Sequence, residues 1–369
     1  MSIEITNEQQ AESRIKLNGH AELANVPDGT LASIEVRNEI TQFTGQQALE
    51  AMKEWIKKLK VGGELLVSVP DFDRCVDAYR NGTAADVEFR LIGAQGEHKS
   101  IWNRGKVQEL LRQSGLDEIG SWACGPDDMW LGMRGSKVEP ITELQNVEGL
   151  ISMPRLAWTE NMFCSIGACL PLKINLTKHT GAFWGQCLSR LMTEAIAKPA
   201  IEWVLTIDYD SIFSREDIVS LYRLAKKRNL DAVAAMQVGR ERQTVLITCS
   251  DDAGNPRTSL TLEEIESDAI EVATAHFGLT LIRADALRNL PRPWFHGQPA
   301  PDGTWGEGRV DDDIQFWKQW KRSGYRVWQA NRVRIGHMQV VVSWPDRTLS
   351  ARHQYHSEFI NHGKPDWAR

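Results

Sequence analysis

The sequence has no long apolar run, no paired-cysteine motif and no excess of basic charge, and each absence removes a class of function. Its longest apolar stretches, Gly63–Val69 and Trp203–Ile207, have the length of buried strands and fall far short of the ~20 residues that span a bilayer, so no membrane span is expected. The six cysteines (Cys75, Cys124, Cys164, Cys169, Cys187, Cys249) contain no CxxC pair and no zinc spacing with histidine, which leaves reduced, mostly buried thiols. The start, Met1–Gln10, is polar and acidic and does not read as a secretory signal, so a cytoplasmic location is the expectation. Residues 1–150 carry 16 Lys and Arg against 24 Asp and Glu, and residues 151–369 carry 27 against 25. That balance is not the footprint of a tight nucleic-acid binder, although it leaves room for a local basic surface in the second half.

What the chain does have in excess is tryptophan, at 14 of 369 residues. Most belong in the core, but indole faces also stack on sugar rings. The length favours two domains. A boundary is legible near Ser136–Gly149, where the strand-like Met129–Met133 gives way to a polar stretch with Pro140 before apolar sequence resumes at Leu150–Met153. This places a first domain at 1–136, a linker at 137–149, a second domain at 150–345 and a C-terminal extension at 346–369.

In the first domain Leu31–Val36 reads as a strand and Gln46–Leu59 as a helix, from the spacing of Ala48, Leu49, Met52, Trp55, Ile56 and Leu59. Gly62-Gly63 is expected to end that helix. Glu64–Val69 is a strand stopped by Pro70-Asp71, Val107–Ser114 is a second helix ending at Gly115, and Asp117–Ala123 with Met129–Met133 form a closing pair of strands. The run Leu59-Lys60-Val61-Gly62-Gly63-Glu64-Leu65, then Ser68-Val69-Pro70-Asp71-Phe72 and Glu97-His98-Lys99-Ser100, resembles the C-terminal half of class I S-adenosylmethionine-dependent methyltransferases over residues 28–134. Val61 replaces the usual proline. Those enzymes hold the cofactor on a glycine-rich loop after their first strand, and Gly19 and Gly29 do not form one. The resemblance therefore implies a truncated, inactive, Rossmann-like relic that binds no S-adenosylmethionine and serves docking or acceptor recruitment.

From Leu150 strands alternate with helices, the signature of an α/β sheet. Leu150–Pro154 is a strand, Gly185–Ala197 a helix, and Trp203–Ile207 a central strand covered on both faces. The last ends in Asp208-Tyr209-Asp210, two acids that are costly to place at a buried strand end without a cation. Ser214-Arg215-Glu216-Asp217 carries a capping pattern for the next helix, and Asp231–Met236 is another strand. A second acidic cluster, Val310-Asp311-Asp312-Asp313-Ile314-Gln315-Phe316-Trp317, opens a helix that ends at Ser323-Gly324. Two strand-like runs follow, Tyr325–Gln329 and Asn331–Ile335. Three adjacent carboxylates repel one another, so at least one is expected to hold its proton more tightly than usual.

Residues 150–345 resemble GT-A glycosyltransferases, family-two-like, on the run Glu202–Phe213 with its DxD triplet, on Val310–Trp317 as the "ED" motif, and on Pro291-Arg292-Pro293-Trp294-Phe295. The implied fold is the α/β nucleotide-diphospho-sugar transferase sheet. The implied reaction moves a sugar from a nucleoside diphosphate sugar to an acceptor hydroxyl with inversion, assisted by Mn2+ or Mg2+. The resemblance assigns Asp210 as a direct metal ligand, Asp208 to the ribose or a water-bridged metal contact, and His337 as a further ligand. It assigns the base to the 311–313 cluster, with Asp312 in the place of the family's Glu and Asp313 in that of its Asp, and leaves open which acts. Pro154 and Arg155 would contact the nucleobase, Thr180–Trp184 with Phe183 and Trp184 would line the nucleoside pocket, and Gly278 would let backbone approach the donor. Residues 296–309 with Trp305 would form a lid that orders on donor binding.

A nucleotidyltransferase is disfavoured because Met153–Trp158 lacks a glycine-rich phosphate loop. A non-catalytic scaffold or sugar-binding module is the other class. The acceptor is either a glycan or a hydroxymethylated DNA base; the acidic first domain speaks against the latter, and Arg309, Lys318, Lys321, Arg322 and Arg326, expected to cluster near the acceptor side, speak for it.

Overall fold

The alternation of β-branched runs with capped amphipathic segments becomes, in the computed structural model, a mixed α/β chain of two compact units, residues 1–140 and 141–369. The structure describes residues 14–17, 23, 25–82, 90, 91, 93, 98–125, 129–153, 157–241, 244–250 and 256–368. No helix among them is long and apolar enough to cross a membrane.

The first unit is a five-stranded sheet of β1 (Arg14–Leu17), β2 (Leu31–Arg37), β3 (Leu59–Pro70), β4 (Leu116–Ser121) and β5 (Trp130–Lys137), in the order β1-β2-β3-β5-β4. The first three are parallel, and β5 and β4 close the sheet antiparallel. The sequence reading contained no counterpart of β1. Its helix Gly45–Lys58 starts on a capping box between Thr44 and Gln47 and buries Ala48, Met52 and Ile56. The helix does not end at Gly62-Gly63, as the glycines suggested. It ends at Lys58, and Leu59 is already extended. The glycines instead sit inside β3 at a register shift, where Leu31 faces Leu59 but Ser33 faces Glu64. Gly62 has φ 81° and a Cβ on Gly63 would lie 2.8 Å from the Leu31 carbonyl oxygen, so both serve a bulge.

The second unit holds β6 (Val147–Met153), β7 (Asn175–Thr180), β8 (Trp203–Asp208), β9 (Ser211–Ile212), β10 (Ala232–Met236), β11 (Cys249–Ser250), β12 (Pro256–Arg257), β13 (Ala269–Val272), β14 (Leu279–Arg283), β15 (Val327–Arg334), β16 (Gly336–His337), β17 (Val341–Pro345) and β18 (Ala351–Tyr355). Its seven-stranded sheet runs β13-β15-β10-β14-β8-β6-β7. Strands β7, β6, β8, β10 and β15 point one way, and β14 and β13 run against them. The two runs Tyr325–Gln329 and Asn331–Ile335 are one strand, β15, because Ala330 pairs continuously with both Ala235 and Ala269 and leaves no room for a turn. The first strand starts earlier than Leu150, at Val147, and Leu144 and Val147 already pack in the core.

Alternate residues of the central strands feed two cores. Leu205, Val233 and Leu281 pack under the helix Arg215–Arg228, while Val204, Ala234 and Ile282 pack under the helices Trp184–Ile196 and Asp312–Arg322. Strands buried on both faces carry continuous apolar sequence, as Trp203–Ile207 does. In the C-terminal extension, β18 pairs with β17 and leads into the helix His356–His362.

Candidate functional site

The C-terminal ends of β6, β8 and β10 and the N-terminal end of β14 meet at one sheet edge, with Ser152 beside Asp208 and Ile207 beside Leu279. The turn after β8 is clamped from below. Asn161, fully buried on the helix Thr159–Cys169, donates from Nδ2 to the Asp208 carbonyl (2.9 Å) and the Ser211 carbonyl (2.6 Å). Ser211 then pairs with His337 in a short two-stranded ladder, and the Met338 N–H donates to the Asp210 carbonyl at 2.8 Å. Chain segments 127 positions apart are thereby fixed side by side.

The Asp210 side chain is 3% exposed. Its Oδ2 accepts from Arg240 Nη2 and lies 3.2 Å from His337 Nε2, while its Oδ1 is buried with no hydrogen-bond partner. Burial works to raise the Asp210 pKa, but the His337 contact and the Arg240 charge outweigh it and hold the carboxyl below its ordinary range. Burial likewise opposes charge on His337, yet its bonds to Asp210 and to the Val238 carbonyl raise its pKa. The Nδ1 of His337 faces the Val238 carbonyl oxygen at 2.9 Å, an acceptor only, so Nδ1 carries a proton and Nε2 is the nitrogen turned to Asp210.

Asp208 behaves differently. Its Oδ1 accepts from the Trp184 indole N–H at 3.1 Å, and burial, reinforced by the charge of Asp210, pushes its pKa up to about 6. Asp208, Asp210 and His337 therefore do not converge as three ligands, and no group of three or more His, Cys, Asp and Glu side chains forms a metal cage among the described residues. Trp184, expected in the nucleoside-pocket wall, gives its indole N–H to Asp208, and Phe183 beside it is 67% exposed. Pro154 and Arg155 lie outside the described residues.

Gly278 joins β14 to this edge. Its carbonyl accepts from the Asp208 N–H at 3.2 Å, and a Cβ there would lie 2.6 Å from Gln237 Oε1 and 2.9 Å from Ser211 Oγ. Its N–H donates to His276 Nδ1 at 3.0 Å, while His276 Nε2 meets the Ala235 carbonyl at 2.6 Å. A carbonyl can only accept and an N–H only donate, so His276 is held as the neutral Nε2–H tautomer. Burial drives its pKa down to about 4. A histidine normally near 6.5 then protonates more readily in the unfolded chain, so stability is complete above that pH and falls as pH drops toward 4. The loss should approach about 3 kcal/mol, at 1.4 kcal/mol per pKa unit. Urea unfolding from pH 7 to 4.5 should show a slope in the wild type that His276→Gln lacks; equal slopes would exclude His276 as its source.

The second acidic cluster is brought to the same edge through Trp184. A Cβ on Gly185 would lie 2.7 Å from Asp312 Oδ2 and one on Gly297 would lie 2.7 Å from Asp312 Oδ1. Asp312 Oδ1 accepts from the Gly297 N–H and so pins the loop 296–309 to the start of the helix Asp312–Arg322. Asp311 accepts from Arg309 Nε at 2.8 Å. Asp313 accepts from the Ile314 N–H at 2.8 Å, and its pKa is raised. The leading cause is burial, opposed by the Ile314 hydrogen bond and aided by repulsion from Asp311 and Asp312, the source the sequence suggested. Below lies a ring cluster in which Trp184, Phe277, Phe295, Phe316 and Trp317 pack with centroids 4.9–5.5 Å apart. Most tryptophans are thus buried or half-buried, and Trp305 on the loop is 62% exposed.

Of the basic residues, Arg309 lies at the acidic cluster, whereas Lys321, Arg322 and Arg326 lie away from it. Arg309 is engaged by Asp311, and Arg326 precedes the far end of β15, pairing with Glu271 and covering the Trp328 ring. Helix Asp312–Arg322 separates Lys321 and Arg322 from the acidic cluster by its whole length, about 15 Å.

No family model and no curated protein matches this chain. Similar solved structures include A197 from STIV, 11% identical with a TM-score of 0.39 over 56% of this chain and 94% of that one. Another is the S-adenosylmethionine-dependent methyltransferase SibL, 18% identical with a TM-score of 0.25 over 31% of this chain and 32% of that one. A third is a methyltransferase from Thermotoga maritima described as a possible histamine N-methyltransferase, 18% identical with a TM-score of 0.23 over 30% of this chain and 58% of that one. This chain thus spans under two thirds of either methyltransferase, and at these scores the likenesses assign no activity.

Proposed function

We propose that the second unit is a metal-dependent GT-A glycosyltransferase that moves a sugar from a nucleoside diphosphate sugar to an acceptor hydroxyl. The observation that carries the reading is the meeting of Asp210 and His337 at the edge that Asp208, Gly278 and, through Trp184 and Gly185, Asp312 also border.

The residues fit a divalent ion. Asp210 Oδ2 and His337 Nε2 are 3.2 Å apart, close to the ~3.0 Å between adjacent ligands of an octahedral ion with bonds of about 2.1 Å. Asp210 Oδ1 is a buried oxygen with no hydrogen-bond partner. Asp210 and His337 would hold Mn2+ or Mg2+, which would supply positive charge to offset the charge that grows on a departing diphosphate. Asp208, whose pKa burial raises to about 6, offers a carboxyl that can hydrogen-bond a sugar or ribose hydroxyl. Asp312 holds the loop that carries Trp305, whose exposed indole offers a face to a sugar ring. Asp313, with its raised proton affinity, takes the proton from the acceptor hydroxyl as that oxygen attacks the anomeric carbon and the diphosphate leaves with the bonding pair.

A glycan acceptor is favoured over a hydroxymethylated DNA base, because Lys321, Arg322 and Arg326 lie away from the acidic cluster and Arg309 within it is paired with Asp311. The first unit, a sheet without an assigned chemistry, is proposed to recruit the acceptor.

Thermal unfolding with a panel of nucleoside diphosphate sugars, with and without Mn2+, tests the class. One donor should raise the melting temperature by about 5–10 °C near a hundred times its Kd, and only with metal. If no donor stabilises the protein at millimolar concentration, the non-catalytic scaffold becomes the better account.

A further inference from the structure

Arg240 has no counterpart among the residues that the sequence singled out, yet it makes the closest charged contact in the site. Its Nη2 donates to Asp210 Oδ2, its Nε lies 3.1 Å from His337 Nε2, and its guanidinium stands 5.5 Å from the centre of the Tyr209 ring. The two atoms it touches are the two that would ligate a divalent ion. Nothing else on the described surface supplies a positive charge to the buried Asp210 carboxylate besides His337. A buried carboxylate left alone is expensive, and a guanidinium offsets that cost with directional hydrogen bonds. A guanidinium N–H and a metal ion directed at the same lone pair of Oδ2 exclude each other.

The His337 ring shows the same conflict. With Nδ1 protonated toward Val238, Nε2 either accepts from Arg240 Nε–H or carries a proton toward Asp210, and it cannot do both. As a lone-pair nitrogen it satisfies Arg240 and is equally ready for a metal. The Arg240 side chain is 53% exposed, so it can leave the carboxylate for solvent without dragging the core.

We propose that Arg240 is a built-in counter-cation for Asp210 that competes with the divalent ion and, once displaced, turns onto the diphosphate of the donor. This rests on the metal-dependent reading above. It makes metal and donor bind cooperatively: the ion alone must displace an arginine, whereas the ion with a diphosphate gives that arginine a new anionic partner. Arg240 is a positioning residue in the first role and a donor-binding residue in the second.

The two roles predict effects of opposite sign, which loss of structure cannot mimic. Full-length wild type, Arg240→Ala, Arg240→Lys and Asp210→Asn would be titrated with Mn2+ alone and with Mn2+ plus inorganic pyrophosphate, reading free Mn2+ by electron paramagnetic resonance. Arg240→Ala should bind Mn2+ alone about tenfold more tightly than wild type and bind the Mn2+–pyrophosphate pair about tenfold more weakly, each a charge-assisted contact of ~1.4 kcal/mol. Arg240→Lys should lie between them. If Arg240→Ala binds Mn2+ no more tightly while Asp210→Asn abolishes binding, the competition is overturned and the metal site stands. If wild type and Arg240→Ala both ignore Mn2+ with and without pyrophosphate, the metal-dependent reading fails and this proposal with it.

Discussion

Asp210→Asn should abolish metal-dependent stabilisation and lower sugar transfer by about a thousandfold, the scale on which removing a preorganised charge partner acts. The substitution keeps the shape of a side chain that is 3% exposed, so the Asn161 clamp and the Met338 bond to its backbone carbonyl survive. It removes the charge that faces Arg240 and His337. Arg240 can turn to water because it is half exposed, so the loss of stability should stay near 1–2 kcal/mol rather than the larger cost of stranding a buried charge. Metal dependence and stability therefore separate. Asp217→Asn, which weakens the Ser214 capping box on the same unit, should cost a comparable amount of stability and leave transfer and the Mn2+ shift intact. Retention by Asp210→Asn of a Mn2+-dependent shift in melting temperature, or of transfer within threefold of wild type, would remove Asp210 from the metal site.

How far these assignments could be read from sequence depends on the range of the interaction. Local signals were legible. Ser214 with Asp217, and the Ser323-Gly324 stop after the acidic helix, are contests settled within four residues. The apolar run Trp203–Ile207 announced a strand covered on both faces because that burial depends on composition alone. The Gly62-Gly63 error came from a local rule outvoted by the sheet: a glycine pair suits a helix end, but here the carbonyl oxygens of Leu31 and Lys60 press on Gly63 and claim it for a bulge. The site itself was legible only in part. The acids and His337 stood out as chemistry-bearing residue types, whereas Asn161, Arg240 and His276 act through partners 41 to 50 positions away or at His337 and Asp210, distances that no periodicity encodes. Trp184 stands out by its type, but nothing in Thr180–Trp184 reveals that its indole N–H faces Asp208. The basic residues misled for a related reason. They are close in sequence, but a helix of eleven residues carries its two ends to opposite edges of the sheet.

Within the acidic triplet the proposed mechanism assigns different work to each carboxylate, and the division is measurable. Asp313→Asn should lower kcat by about a hundred- to ten-thousandfold, the range for a lost general base, with the donor-induced shift in melting temperature unchanged. Asp312→Asn should act mainly through the loop, because its carboxylate holds the Gly297 N–H beside Trp305, so the acceptor KM should rise more than kcat falls. Asp311, exposed and paired with Arg309, should tolerate the change. The pH profile discriminates further. A base must be ionised to act, and burial raises the Asp313 pKa, so transfer should switch on with rising pH above the usual carboxylate range. Asp313→Asn should lose that acidic limb, while Asp312→Asn should keep it. Were Asp312→Asn to flatten the limb and Asp313→Asn to preserve it, the base would be Asp312 and Asp313 a support beneath it. A limb that survives in both variants would show that neither carboxylate takes the acceptor proton, and direct displacement by a base in this cluster would be the wrong mechanism.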